Sequence, residues 1–95
     1  MVQDDIFLSL VNKIITEQES IIGPVAFEQA YKVPGLKVDM KTHGVTIDGD
    51  KKQVLEALVK QYEGLFGRTS VEVCRDAVKN YISSAPKDQV PQVLL

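Results

Sequence analysis

The chain has 95 residues, 44% of them hydrophobic and 25% charged, which are ordinary values for a single globular domain. A formal net charge of −2 lacks the basic excess that nucleic-acid binding requires. No apolar run approaches the ~20 residues of a membrane span, no signal peptide precedes the first predicted helix, and the single cysteine, Cys74, cannot form an internal disulfide. We therefore expect a cytoplasmic domain that binds neither nucleic acid nor membrane.

Apolar residues near the N-terminus recur at three- and four-residue steps and predict a first helix, with Asp4 or Asp5 as its N-cap. This stripe is broader than one core contact requires, so the helix should be covered on two sides or form an interface. The stripe consists of Phe7, Leu10, Val11, Ile14, Ile15, Ile21 and Ile22, widened by Ile6 and Leu8.

A glycine and a proline break this helix. Gly23 is followed by Pro24, and proline suits the first turn of a helix because its missing N–H would have no partner there. A short second helix is therefore expected to run through Tyr31, where Pro34 and Gly35 end the unit.

The apolar period then changes from the helical step to an alternation. Leu36, Val38 and Met40 alternate with charged residues, and Val45 and Ile47 do so again after Thr42-His43-Gly44. This pattern predicts a β-hairpin with one buried face. Because an isolated hairpin is marginal in water, that face should lie on the helices or pair with a second copy.

Two further helices follow the hairpin. Asp50 with Gln53 resembles a capping box and opens a third helix, whose stripe is Val54, Leu55, Leu58, Val59, Tyr62, Leu65 and Phe66. Thr69 with Glu72 resembles a second capping box, for a last helix. That helix is expected to bury Val71, Cys74, Ala77, Val78, Tyr81 and Ile82.

Composition divides the chain into a domain over residues 1–83 and a proline-containing tail or linker over 84–95. The tail ends in Val93-Leu94-Leu95, which could dock on the body or on a neighbour.

The segment 10–33 nearly repeats as 54–77, at an offset of 44 residues. Two interpretations stay open: a pseudo-repeat, or two unrelated helical hairpins whose apolar residues match in phase. Either one predicts a helix-dominated α+β domain of four helices, with the β-hairpin between two helix-break-helix units. The aligned residues that are identical are Glu19/Glu63, Gly23/Gly67 and Glu28/Glu72.

Candidate chemistry is sparse. His43 is the only histidine and has no partner at metal-ligand spacing, so we expect an exposed turn residue, no metal site and no cofactor. Cys74 lies on an apolar stripe, where a buried thiol behaves as a small hydrophobe. Glu28 and Glu72 could form an acid–base pair, but their places near helix starts already account for them.

The best ligand candidate is Gly67-Arg68-Thr69-Ser70. Free N–H groups at a helix start, two hydroxyls and a cation suit a phosphate or carboxylate. The alternative is an ordinary helix start.

The sequence favours a non-enzymatic protein-interaction domain with a regulatory or scaffolding role. Its expected partner is a second copy, in a homodimer, or another protein. A sensor of small anions, with its pocket between the two helical halves, is the second hypothesis, and an enzyme with an active site between subunits is the third. The stretch Ile21–Ala26 resembles a short motif of small helical modules attached to bacterial signalling proteins, and no function is carried over from it. The expected interface residues are Phe7, Leu10, Val11, Ile14, Val38, Met40, Val45 and Ile47.

Overall fold

Four helices and one antiparallel hairpin form the part of the chain that the structure, a computed structural model, describes: residues 3–39, 41–42 and 44–95. The predicted helix-dominated α+β class is confirmed. Met40 and His43 lie outside the described residues, as do the side chains of Asp4 and Asp5. The elements are α1 (Gln3–Ile22), α2 (Val25–Tyr31), β1 (Leu36–Val38), β2 (Val45–Ile47), α3 (Lys51–Phe66) and α4 (Arg68–Val78).

Two of the predicted helix starts are confirmed. The Asp50 carboxylate accepts hydrogen bonds from the backbone N–H groups of Lys52 at 2.9 Å and Gln53 at 3.4 Å, which satisfies donors that the first turn of α3 leaves free. Pro24 is the N-cap residue of α2, and that helix ends at Tyr31, as predicted.

The predicted limits of α4 are wrong at both ends. Gly67, at φ +87°, caps the end of α3 and also precedes the first residue of α4, with no side-chain cap bond. One glycine thus reverses the chain, and Thr69 already lies inside the helix rather than capping it. At the other end α4 stops at Val78, and Tyr81 is exposed beyond it.

The hairpin has the predicted alternation. Val38 pairs with Val45 and both are buried, while Lys37 and Thr46 point to solvent. β1 packs against α2, and β2 packs against α1. The hairpin's apolar face is therefore covered by helices of the same copy.

Gly35 closes the hairpin against the start of α3. Its φ is +83°, and an added Cβ would lie 2.8 Å from Val54 Cγ2 and 2.9 Å from the backbone oxygen of Asp48. Since the same segment carries a hydrogen bond from Asp48 N to Gly35 O of 2.7 Å, a side chain at this position would have to separate backbone atoms that are bonded.

The wide stripe of α1 lies in the interior of one copy as far as Ile15, whereas Ile21 is exposed. α1 packs against α4, α2 and the hairpin, and these neighbours cover it on two sides. An interface through these residues would require the body to open. The predicted interface residues that are fully or mostly buried here are Phe7, Leu10, Val11, Ile14, Val38 and Val45, and Ile47 is half-buried.

Residues 84–95, predicted as a tail or linker, fold onto the body. Ala85, Val90 and Leu94 are buried in the common core, and the last turn packs against α4. The Arg75 guanidinium also donates to the backbone oxygen of Leu95 at 3.3 Å. The radius of gyration is 11.9 Å, close to the roughly 12 Å of one globular domain of this length.

Candidate interaction surface

A buried glutamine joins α1 to α4. Gln18 continues the apolar stripe, four residues after Ile14, and is almost fully buried. Its Nε2 donates to the backbone oxygen of Ser70 at 3.0 Å and to Cys74 Sγ at 3.4 Å. Sequence reasoning missed Gln18, although its spacing alone placed it on the buried face.

A buried tyrosine joins α3 to α2 in the same way. The Tyr62 hydroxyl donates to the backbone oxygen of Ala26 at 2.6 Å. Burial, reinforced by the nearby Cys74, raises the pKa of Tyr62 well above its ordinary value. The hydroxyl therefore keeps its proton and stays a donor under all ordinary conditions.

These two bonds place the end of α1 and the start of α2 near the junction of α3 and α4. Gln18 lies one turn before the end of α1, and Ser70 lies in the first turn of α4. Because only Gly67 separates α4 from α3, the last turn of α1 lies near the junction of α3 and α4. The bond from Tyr62 to Ala26 brings the start of α2 to the same place.

Large apolar side chains are exposed at this junction, although the helices that carry them bury most of their other apolar residues. We call this surface the apolar end. It consists of Ile21 (63% exposed), Leu65 (53%), Phe66 (41%) and Val25 (37%), with Ile22 half-buried beside them.

The last residues of α1 and α3 extend past the elements that pack against these helices. Ile21 follows Gln18 by three residues and Phe66 follows Tyr62 by four, so both continue the core-facing sides of their helices. They are exposed because no element of the chain covers them there among the described residues. The sequence identified these residues as apolar but assigned them to the core stripe.

The predicted anion-binding residues are consecutive but do not share one surface. Arg68 and Thr69 are exposed at the uncapped start of α4. Ser70 is buried, and its backbone oxygen accepts from Gln18. Only one hydroxyl and one guanidinium therefore face solvent beside Gly67.

The space between the two helical halves, where a ligand pocket was predicted, holds the side chains of Gln18, Tyr62 and Cys74. An open groove lies elsewhere, between α4 and the C-terminal segment. It is lined by charges of both signs and by apolar groups, including Glu72, Arg75, Asp76, Lys79, Lys87 and Leu94.

Cys74 has the environment of a core residue. Burial raises the pKa of its thiol to about 11, against a smaller lowering by the hydrogen bond from Gln18. The thiol is therefore protonated near neutral pH and is a poor nucleophile.

Within residues 3–39, 41–42 and 44–95, no three His, Cys, Asp or Glu side chains are grouped so that they could hold a metal ion. In the same described part of the chain, no helix has both the length and the apolar character to cross a membrane. No protein family, curated protein or solved structure matches the chain.

Proposed function

We propose that this chain is a non-enzymatic protein-interaction domain, with a regulatory or scaffolding role, and that the apolar end is its contact surface. The observation that carries the proposal is the contrast along α1 and α3. Ile14 and Leu58 are fully buried, whereas Ile21 and Leu65, on the same helices, are more than half exposed. Apolar side chains clustered at one exposed place are typical of a binding surface.

The size of the apolar end suits a weak or transient contact. Its four exposed side chains present on the order of 400 Å², taking about 200 Å² for a full large side chain. A standard interface covers about 800 Å² on each partner. Polar groups around the apolar end must therefore supply the rest of the contact, and reversible binding is the expected regime.

Self-association was predicted on two grounds, the wide stripe of α1 and the free edges of the hairpin. The stripe as far as Ile15 lies inside one copy, so the hairpin edges and the apolar end are the surfaces that support a homodimer. Light scattering at several protein concentrations tests this. A molecular mass that rises with concentration would favour the dimer.

Binding of a small anion is the second candidate, and the uncapped start of α4 beside Arg68 favours it. Glu63 and Glu72 lie within five residues of Arg68 and would repel such a ligand, so we rank this candidate second. Thermal unfolding with added phosphate or citrate tests it, since binding to the folded state raises the Tm.

Site-specific cross-linking tests the proposed surface. A photoreactive residue replaces Leu65 in one protein and the exposed Lys37 of β1 in a matched control, and both are irradiated in extract of the source cells. The proposal predicts a discrete adduct, identified by mass spectrometry, at position 65 alone. Absence of an adduct at 65, or the same adducts at both positions, would contradict it.

A further inference from the structure

We propose that the apolar end binds a cationic amphipathic segment of another protein, and that carboxylates contributed to its edge by both helical halves hold the basic groups of that segment. The inference rests on the proposed function and goes further, because it assigns the chemistry of the partner. It depends on the crosswise hydrogen bonds, on the position of the residues that the halves share, and on the charge beside the apolar end.

The offset of 44 residues relates contacts as well as residues. Gln18 corresponds to Tyr62 at this offset, and Ala26 corresponds to Ser70. In the structure Gln18 donates to the oxygen of Ser70, and Tyr62 donates to the oxygen of Ala26. The first helix of each half thus donates a hydrogen bond to the second helix of the other half. This reciprocal contact is expected for two units related by a pseudo-twofold axis.

The two halves contribute equivalent residues to the apolar end. The offset relates Ile21 to Leu65, which are the most exposed pair. It also relates Gly23 to Gly67, which have φ angles of +79° and +87°. Both helix breaks therefore contain a glycine at positive φ, and each directly follows the apolar side chains that its half contributes to the apolar end.

Apart from Glu72, the residues identical between the halves lie at or next to this surface. Interior pairs such as Gln18 and Tyr62 differ in size and chemistry, so packing alone does not require identity. Shared identity at the surface instead indicates a shared task there. The identical pairs are Glu19/Glu63, Gly23/Gly67 and Glu28/Glu72.

Three of the carboxylates of these pairs give the apolar end an acidic rim, which we define as Glu19, Glu63 and Glu28. Glu19 and Glu63 each precede an apolar-end residue by three positions, and Glu28 follows Val25 by three, so each lies beside that residue on its helix. Glu72, the equivalent of Glu28, instead lines the groove between α4 and the C-terminal segment.

The charge of the acidic rim is not neutralised within the chain. Among the described residues, none of its three carboxylates has a cation within ion-pair distance. In the described chain, Arg68 is the one lysine or arginine within four sequence positions of any residue of the apolar end. Two helices end at this surface and two begin there, so their dipoles largely cancel and the side chains set the potential.

This charge selects among the possible partners. A segment with leucines on one face and lysines or arginines on the other would cover the apolar end and bring a cation to each carboxylate. A second copy, docked through the same end, would instead place acidic rim against acidic rim, and like charges in contact disfavour that complex.

The experiment uses two synthetic amphipathic helical peptides that share a leucine face and differ in their charged face, one carrying lysines and the other glutamates. Binding is measured by calorimetry, and the contact is located by methyl NMR of Ile21 and Leu65. We expect the lysine peptide to bind at least about tenfold more tightly, and its affinity to fall as salt rises from about 0.01 M to about 1 M.

Charge-neutral variants provide the matched control. Glu63→Gln should weaken binding of the lysine peptide by about two- to fivefold. Glu56→Gln, the same change on the same helix, should leave binding unaltered, because Glu56 lies ten residues from Phe66, or roughly 15 Å along the helix axis.

The outcomes separate this inference from the proposed function. Equal binding of both peptides at Ile21 and Leu65 would overturn the cationic partner and leave the apolar end as a contact surface. Binding of neither peptide, together with a cross-link from position 65 to a second copy, would overturn the cationic partner in favour of self-association. Absence of any contact at position 65 would overturn both.

Discussion

Matched isoleucine-to-alanine substitutions on α1 separate core from contact surface. Ile14 is fully buried and Ile21 is 63% exposed, yet both lie on the same apolar stripe. At ~0.8 kcal/mol for each buried carbon lost, Ile14→Ala costs about 2.4 kcal/mol from transfer alone, and the cavity raises this to about 3–4 kcal/mol. For Ile21→Ala about a third of the transfer cost applies, and the better helix propensity of alanine offsets half of it, leaving about 0.5 kcal/mol.

Urea unfolding followed by circular dichroism measures both losses. The domain as a whole is expected to be stable by roughly 5–14 kcal/mol, so Ile14→Ala removes a large share while the variant still folds. Thermal melts should show a decrease of more than about 10 °C for Ile14→Ala and of a few degrees for Ile21→Ala. The reasoning is refuted if Ile14→Ala costs less than about 1 kcal/mol, or if its cost disappears on dilution, as it would at a dimer interface.

Other predictions address single features of the fold. Gly35→Ala should cost roughly 3 kcal/mol or more, because strain at positive φ adds to a backbone clash, whereas Gly23→Ala, with open space around it, should cost about 1–2 kcal/mol. Gln18→Ala should cost about 2–4 kcal/mol by leaving a cavity, and Gln18→Leu, which keeps the volume, should cost at least about 1 kcal/mol less. Asp50→Ala should cost about 1 kcal/mol through loss of the N-cap. The pKa of Cys74 rises from 9.0 to about 11 on folding, so stability should fall by about 2–3 kcal/mol as pH rises between those values.

Denaturant titrations of each variant test these expectations, with the alkaline series repeated for Cys74→Ala. The sign at high pH follows from the proton count: between the two pKa values the folded thiol holds its proton and the unfolded thiol does not. Removing the thiol should flatten the curve below about pH 10, above which the raised pKa of Tyr62 continues to lower the stability. Equal losses for Gly35→Ala and Gly23→Ala would show that Val54 and Asp48 do not restrict the space at Gly35.

The local elements were predictable because each depends on residues close in sequence. Asp50 caps the helix that directly follows it, and Pro24 presets its own φ at the start of α2. The hairpin followed from a period of two on either side of a short turn. These features need no knowledge of what lies across the core.

Burial was less predictable, because it depends on elements that are distant in sequence. The stripe from Phe7 to Ile22 does not show that α4 and the hairpin cover its first part and leave Ile21 exposed. The Gln18 contact likewise joins residues 52 positions apart. The C-terminal segment, despite its prolines, packs because Val90 and Leu94 reach the core.

The most direct test of the account is a methyl NMR measurement on dilute protein, with a soluble paramagnetic agent that broadens exposed methyl groups. We expect strong broadening of the methyl signals of Ile21 and Leu65 and little broadening of those of Ile14 and Leu58. When the lysine peptide is added, the methyl groups of Ile21 and Leu65 alone should become protected. Broadening of Ile14 to the level of Ile21, or protection of Leu65 without any partner, would contradict it.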